Sequence, residues 1–251
     1  KDAQEIIIQS LDNEDSDLRK IAAISSGRFG DHKVVGPLIK NLAKDESQEA
    51  IDALMSINDH RATDTFIQGL YSDNKIVRTV SALWLGRRGD LKNSQLLIQA
   101  LEKEEEEKLD IMNLDKIKNI KDIPPAYAEA IALAQSDDPD SVSKLIGMAV
   151  SGKSIISQQA AIISLGLRSE PQAVATLIEL SKTSSSVQIK MAAVFALRNY
   201  NTLEVKAALY SALEDEDIGV KLMAASSLVS LEYPLKEMVP ELISIVENEK
   251  A

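Results

Sequence analysis

The stretch "SALWLGRRGDLKNSQLLIQAL" at residues 81–101 decides the fold, because it has a near copy elsewhere in the chain. The other stretch is "AAISSGRFGDHKVVGPLIKNL" at residues 22–42. Both contain an apolar segment with helical spacing, a turn that ends in Gly-Asp, and a second apolar segment. Two such copies in one chain indicate an array of repeats, in which each unit is completed by packing against its neighbours.

The later units align on the last residue of this turn, which we call the anchor. The anchors are Asp31, Asp59, Asp90, Asp138, Glu170, Thr202 and Tyr233, and they follow one another at steps of 28, 31, 48, 32, 32 and 31 residues. In most units Leu stands five residues before and seven residues after the anchor, and helix-spaced apolar residues extend from both positions. Only the step of 48 residues carries an insertion, at residues 103–123.

Polar residues that favour helix N-caps stand sixteen residues before five of the anchors. They are Asp15, Asn74, Ser154, Ser186 and Asp217. In the fourth unit, Pro124 and Pro125 mark the start of the helix instead. The pattern predicts an all-α fold, an α-solenoid of about six to seven antiparallel helical hairpins that spans residues 1–251 as one domain. Residues 1–11 are interpreted as the remnant of a preceding repeat.

The repeat resembles the HEAT-like repeat of phycobilisome lyase subunits. The resemblance rests on "DSDLRKIAAISSGRFGDHKVVGPLIKNL" at residues 15–42 and on "DNKIVRTVSALWLGRRGDLKNSQLLIQAL" at residues 73–101. It implies the helical-repeat fold. It also implies one possible activity, the attachment or detachment of open-chain tetrapyrroles on an antenna protein. Because this repeat hosts many unrelated functions, the fold alone does not select that activity.

Composition narrows the classes of partner. The 251 residues carry a formal net charge of -11 and include no Cys. An acidic surface repels phosphate backbones and anionic lipid, so nucleic acid and membranes are poor partners. No apolar run approaches the length of about 18 residues that a membrane span needs. A cytoplasmic location is favoured, and export stays open because the chain starts at Lys1 within a repeat, as if cut or processed.

Residues that could carry chemistry are few. The two histidines, His32 and His60, each follow an anchor Asp and form at best half a metal site. HEAT-repeat deoxyhypusine hydroxylases are similar in architecture but carry His-Glu pairs that bind iron, and no His-Glu pair exists here. The anchor Asp residues are interpreted as N-caps. Basic residues twelve before the anchors are interpreted as a structural ladder between repeats; they are Arg19, Arg78, Lys190 and Lys221. We expect no catalytic residue, metal or cofactor.

The surface is expected to be charged unevenly. Acidic runs at 11–17, 101–107 and 213–219 fall between hairpins. Basic residues fall at the turns within hairpins; they are Arg28, Lys33, Arg61, Arg87, Arg88, Lys92, Arg168 and Arg198. Solvated loops and a recognition surface explain this pattern equally well.

Two departures from the repeat suggest a partner surface, the lone Trp84 and the insertion. Core packing is the usual fate of a helical Trp, but an exposed Trp is a strong binding anchor. Unit-specific insertions often bind partners, although some are merely tolerated loops. The candidate partner-binding residues are Trp84, Tyr127, Glu104, Glu105, Met112 and Ile117. The sequence thus predicts a non-enzymatic scaffold for a protein partner. The alternative is a bilin lyase or chaperone-like subunit acting on a chromophore protein.

Overall fold

The computed structural model describes residues 3–89, 91–104, 109–136 and 138–232, and every regular element among them is a helix. The α-helices are α1 (Ala3–Ser10), α2 (Ser16–Phe29), α3 (Val35–Asp45), α4 (Gln48–Ser56), α5 (Thr63–Gly69), α6 (Lys75–Gly86), α7 (Leu91–Leu101), α8 (Pro125–Ala134), α9 (Pro139–Ser151), α10 (Ile155–Arg168), α11 (Val174–Thr183), α12 (Val187–Leu197), α13 (Leu203–Ala212) and α14 (Ile218–Ser230). The predicted all-α class is confirmed. The anchors Asp90 and Tyr233 lie outside the described residues.

The chain divides into two compact units. The first unit contains residues 1–103 and 116–138, and the second contains residues 104–115 and 139–251. Within the first unit the hairpins are α2–α3, α4–α5 and α6–α7, and within the second they are α10–α11 and α12–α13. The predicted repeat of paired helices is therefore present in both units. A single array over the whole chain, with residues 1–11 as the remnant of a repeat, stays a prediction.

The starts of the helices follow from the predicted caps, all five of which are confirmed. Each side chain accepts a hydrogen bond from a backbone N–H in the first turn of its helix, and these residues are Asp15, Asn74, Ser154, Ser186 and Asp217. The anchor residues are less uniform as N-caps of the second helices. Asp31 and Asp59 cap 3₁₀ turns that precede α3 and α5, Thr202 caps α13, and Glu170 makes no side-chain cap.

The first helices of successive hairpins pack side by side through small residues. A Cβ on Gly27 of α2 would lie 2.9 Å from Cα of Ala53 on α4, and a Cβ on Gly166 of α10 would lie 2.8 Å from Cα of Ala196 on α12. Gly86 of α6 meets α8 in the same way. The repeated small residues therefore set the close helix approach, and a larger side chain would force the helices apart.

The basic ladder is present in two places. Arg19, in the first turn of α2, donates from Nε and Nη2 at 2.6 and 2.7 Å to the carboxylate of Asp45, the last residue of α3. Nζ of Lys190, near the start of α12, lies 2.6 Å from Oδ2 of Asp215 in the loop before α14. In both pairs a cation near the start of one first helix binds a carboxylate that lies shortly before the next first helix.

The described residues 109–123 of the insertion contain two short 3₁₀ helices, Ile111–Lys116 and Ile120–Asp122. Its first part belongs to the second unit, where Leu109, Ile111 and Leu114 are buried. There the backbone N–H of Leu109 donates to Oε1 of the buried Gln159 at 3.0 Å. The insertion is therefore packed onto the repeats. Its removal would take apolar side chains and buried hydrogen-bonding groups away from their partners.

Candidate functional site

Trp84 lies in the core of the first unit. Its side chain is 2% exposed and stacks on Phe66 with ring centroids 4.0 Å apart. Its indole Nε1–H donates to the carbonyl of Ile57 at 2.8 Å. Trp84 is therefore packed in the core, as helical Trp residues usually are, and it offers little surface to a partner.

The other candidate partner-binding residues are not all exposed. Glu104 is buried, whereas Met112 is 43% exposed; both belong to the second unit. Ile117 and Tyr127 belong to the first unit and are half-buried. Glu105 lies outside the described residues. Met112 is thus the member of the set that offers the clearest surface, and a partner surface built on the insertion stays a prediction.

Although Trp84 is buried, its ring contacts a surface arginine, Arg88, which follows Arg87 in the turn after α6. The guanidinium of Arg88 lies 4.0 Å from the Trp84 ring centroid, and its Nη2 donates to Oδ1 of Asn58 at 3.1 Å. Nη1 of the neighbouring Arg87 donates to the carbonyl of Met55 at 3.1 Å. The two arginines are thereby held against the preceding hairpin turn, since stacking and hydrogen bonds both limit their freedom.

The turns after α2 and α4 border a wide groove of about 710 Å³, which we call the basic groove. Its lining residues are Gly27, Arg28, Gly30, Ser56, Asn58, Asp59, His60 and Arg61. The turn of α2 enters the groove through Gly30, whose φ of 65° lies in the left-handed region that favours glycine. The exposed Arg28 pairs with no described carboxylate, so its charge faces solvent in the groove.

Asp59 is the acidic residue in the groove, and its charge is already compensated. Arg61 donates to both of its carboxylate oxygens, from Nε at 3.0 Å and from Nη2 at 2.6 Å. The backbone N–H of Arg61 and that of His32 donate to it as well. These hydrogen bonds, above all those of the Arg61 side chain, hold the pKa of Asp59 well below its usual range. The groove therefore presents a net positive surface on an acidic protein.

A cluster that could hold a metal ion lies beside the groove. It consists of Asp31, His32 and Asp59, whose ligand atoms all lie within 4.8 Å of one another. Nδ1 of His32 is 3.0 Å from Oδ1 of Asp31 and 3.3 Å from Oδ2 of Asp59. The Arg61 guanidinium also binds the Asp59 carboxylate, so a dication there would face a fixed positive charge. Nδ1 of His32 is buried and has no hydrogen-bond partner among the described residues.

The basic residues of the hairpin turns can be recognised from the sequence, but the concavity of the basic groove cannot. Arg28, Arg61, Arg87 and Arg88 could be placed at hairpin turns by counting from the anchors. The contribution of Ser56 and Asn58 could not, because it depends on how far α2 and α4 approach each other at Gly27. The site can attract and hold anionic groups by charge and by hydrogen bonding.

No helix among the described residues is long and apolar enough to cross a membrane. No family model matches the sequence, and no curated protein matches it. The comparison with solved structures found the complex of CpcE and CpcF of phycocyanin lyase from Nostoc sp. PCC7120, with 19% identity, coverage of 98% of this chain and 93% of that chain, and a TM-score of 0.44.

Two further structures are similar at the same level. Human deoxyhypusine hydroxylase in complex with glycerol has 18% identity, coverage of 92% of this chain and 85% of that chain, and a TM-score of 0.39. An engineered protein has 18% identity, coverage of 92% and 99%, and a TM-score of 0.38. These similarities concern the helical fold alone.

Proposed function

We propose that the protein is a non-enzymatic scaffold that binds a protein partner, and that the basic groove receives an acidic segment of that partner. The observation that carries this proposal is the uncompensated positive charge in the groove of a chain with a net charge of -11. A basic concavity on an acidic protein orients an acidic ligand, because the rest of the surface repels it.

Rigidity is the second element of the proposal. Two polar residues of the lining are held by hydrogen bonds, Asn58 by the Arg88 guanidinium and Asp59 by the Arg61 guanidinium. Side chains fixed before binding lose little conformational freedom when a partner arrives. The scaffold therefore binds by display of a preformed surface. The alternative role on a chromophore protein rests only on the resemblance in sequence and stays a prediction.

The test is charge reversal in the groove. Arg28→Glu changes an exposed residue of the lining, and Lys182→Glu, on an exposed residue of α11 in the second unit, is the matched control. Both variants and the parent are used to recover cross-linked partners from native cells, with quantification by mass spectrometry. We expect the partner to be lost with Arg28→Glu and kept with Lys182→Glu, and the interaction to weaken with added salt. Equal recovery with all three proteins would refute the proposal.

A further inference from the structure

The basic groove is one part of a longer row of positive charge, which we call the basic ridge. Its cations recur at two positions of the first three hairpin turns, two residues after the anchor and three residues before it, with one further arginine in the third turn. The members of the basic ridge are Arg28, Lys33, Arg61, Arg87, Arg88 and Lys92, all within the first unit. Arg88 is half-buried and the others are exposed, so the row faces solvent.

The basic ridge is not a property of the repeat itself. In the second unit, the hairpins α10–α11 and α12–α13 hold Gln172 and Glu204 two residues after the anchor. These hairpins fold without a cation at that position, so the fold of a hairpin does not require one. The cations of the ridge therefore call for an explanation outside the repeat.

Hydrogen bonds join the three turns into one surface. Between the first and second turns, the backbone N–H of His32 donates to Oδ2 of Asp59 at 3.3 Å, and Oγ of Ser56 donates to the carbonyl of Gly27 at 3.2 Å. The third turn is joined to the second by the hydrogen bonds that its two arginines donate. Packed helices lie about 8–10 Å apart, so cations at the same position of successive turns are separated by about that distance.

The two ends of the basic ridge carry uncompensated charge. In the middle turn, Arg61 is neutralised by Asp59. Arg28 in the first turn forms no ion pair with a described carboxylate. In the third turn, Arg87 donates to a backbone carbonyl and Arg88 to an amide oxygen, and neither acceptor carries a net charge. A ligand that meets all the free cations must therefore reach from the first turn to the third.

We propose that the basic ridge binds an extended acidic segment of the protein partner, which crosses the three turns with an acidic side chain at about every third residue. This inference rests on the proposed function of the basic groove and specifies its ligand. An extended chain advances about 3.1–3.6 Å per residue, so three residues cover the step of about 8–10 Å between turns.

A helical segment is a weaker occupant than an extended one. An extended segment crosses the three turns with about seven residues, whereas a helix advances about 1.5 Å per residue and needs about thirteen. Fewer residues are then ordered for the same contacts, and less conformational entropy is lost.

A nucleic acid is also a weaker occupant. A long polyanion would run beyond the basic ridge onto a chain of net charge -11, which repels it. A short acidic segment contacts the ridge alone and avoids this repulsion.

The probe is a fluorescent peptide of four Asp-Pro-Pro repeats, the spaced peptide. A polyproline II helix has three residues per turn and a rise of about 3.1 Å per residue, so its carboxylates lie on one side about 9 Å apart. The matched control, the clustered peptide, has the four Asp together at its centre with four Pro on each side. The two peptides therefore have the same length, composition and charge.

Binding to the full chain is measured by fluorescence anisotropy at low salt. The protein variants are Arg28→Gln and Arg87→Gln, which change the two ends of the basic ridge, and Lys182→Gln in the second unit is the control. All three residues are exposed, so the variants should fold, and circular dichroism checks this.

We expect saturable binding of the spaced peptide to the parent and at least tenfold weaker binding of the clustered peptide. Arg28→Gln and Arg87→Gln should each weaken the spaced peptide at least threefold, whereas Lys182→Gln should leave its affinity within 1.5-fold of the parent.

Failure of the basic ridge and failure of the proposed function give different results. If the clustered peptide binds as tightly as the spaced one, or if Arg87→Gln has no effect, the ridge is overturned while the basic groove still binds acidic segments. If neither peptide binds saturably, the proposed function is contradicted as well. Tighter binding of a single-stranded oligothymidylate of equal charge would overturn the inference, because the ridge would then fit a nucleic acid better.

Discussion

Arg198 holds Asp115 through two hydrogen bonds, from Nη1 to Oδ2 at 2.5 Å and from Nη2 to Oδ1 at 2.8 Å, across 83 residues of sequence. The same guanidinium lies 3.8 Å from the ring centroid of Phe195 on α12. The Arg198 side chain lowers the pKa of Asp115. This pair fastens the insertion to the repeats of the second unit, so the insertion is part of the fold.

Removal of the insertion should therefore destabilise the protein. Joining Glu102 to Pro124 deletes the buried Leu109, Ile111 and Leu114 and also Ile123, whose carbonyl accepts a hydrogen bond from Thr79 Oγ1 at 2.9 Å. We expect a lower melting temperature by circular dichroism and a lower urea midpoint. An unchanged midpoint would show that the segment is a tolerated loop.

A point substitution isolates the apolar part of this contact. Leu114→Ala should lower the free energy of unfolding by about 2–5 kcal/mol, since it leaves a cavity at a buried site. Met112→Ala on the same segment removes an exposed side chain and should stay within about 0.5 kcal/mol of the parent. Urea titration measures the free energy of unfolding of both variants. Equal losses of stability in the two variants would contradict the burial of Leu114.

Tyr200 gives a prediction at high pH. Its hydroxyl donates to the carbonyl of Leu165 at 2.9 Å, and burial raises the pKa of Tyr200 to about 12 from its usual 10. The neutral form is favoured in the folded chain, so its contribution to stability is complete below pH 10 and is lost as the pH rises toward 12. The stability difference between the parent and Tyr200→Phe should shrink from pH 9 to pH 11.5 in urea titrations, and a constant difference would disprove the assignment.

The ladder between repeats gives a prediction at low pH. The Arg19 side chain lowers the pKa of Asp45 below its usual 3.8. The charged form is favoured in the folded chain, so its contribution is present above pH 3.8 and is lost as the pH falls through the lowered value. Asp45→Asn should be less stable than the parent at pH 7, and this difference should narrow below pH 3.8. Thermal unfolding across this range provides the measurement, and a gap that widens at low pH would argue against the pair.

The sequence was sufficient for the repeat and its helix starts, because these depend on local patterns. Asp15 and Asn74 could be recognised as caps from their distance to an anchor, and Arg19 could be interpreted as a ladder residue from its recurrence. Trp84 could be weighed but not placed, since burial or exposure depends on the depth at which α6 packs against its neighbours. The contact between Arg198 and Asp115 could not be predicted, because it joins residues far apart in the sequence and follows no repeated spacing.

The proposed ligand of the basic groove is an acidic segment of a protein partner. A photo-cross-linking amino acid in place of His60, an exposed residue of the lining, tests it most directly, with the same group in place of Lys182 as control. Mass spectrometry on cross-linked material from native cells should identify one protein joined at residue 60, through a peptide rich in Asp and Glu, and not at residue 182. Cross-links of equal yield at both residues, or a peptide at residue 60 without acidic residues, would contradict the account.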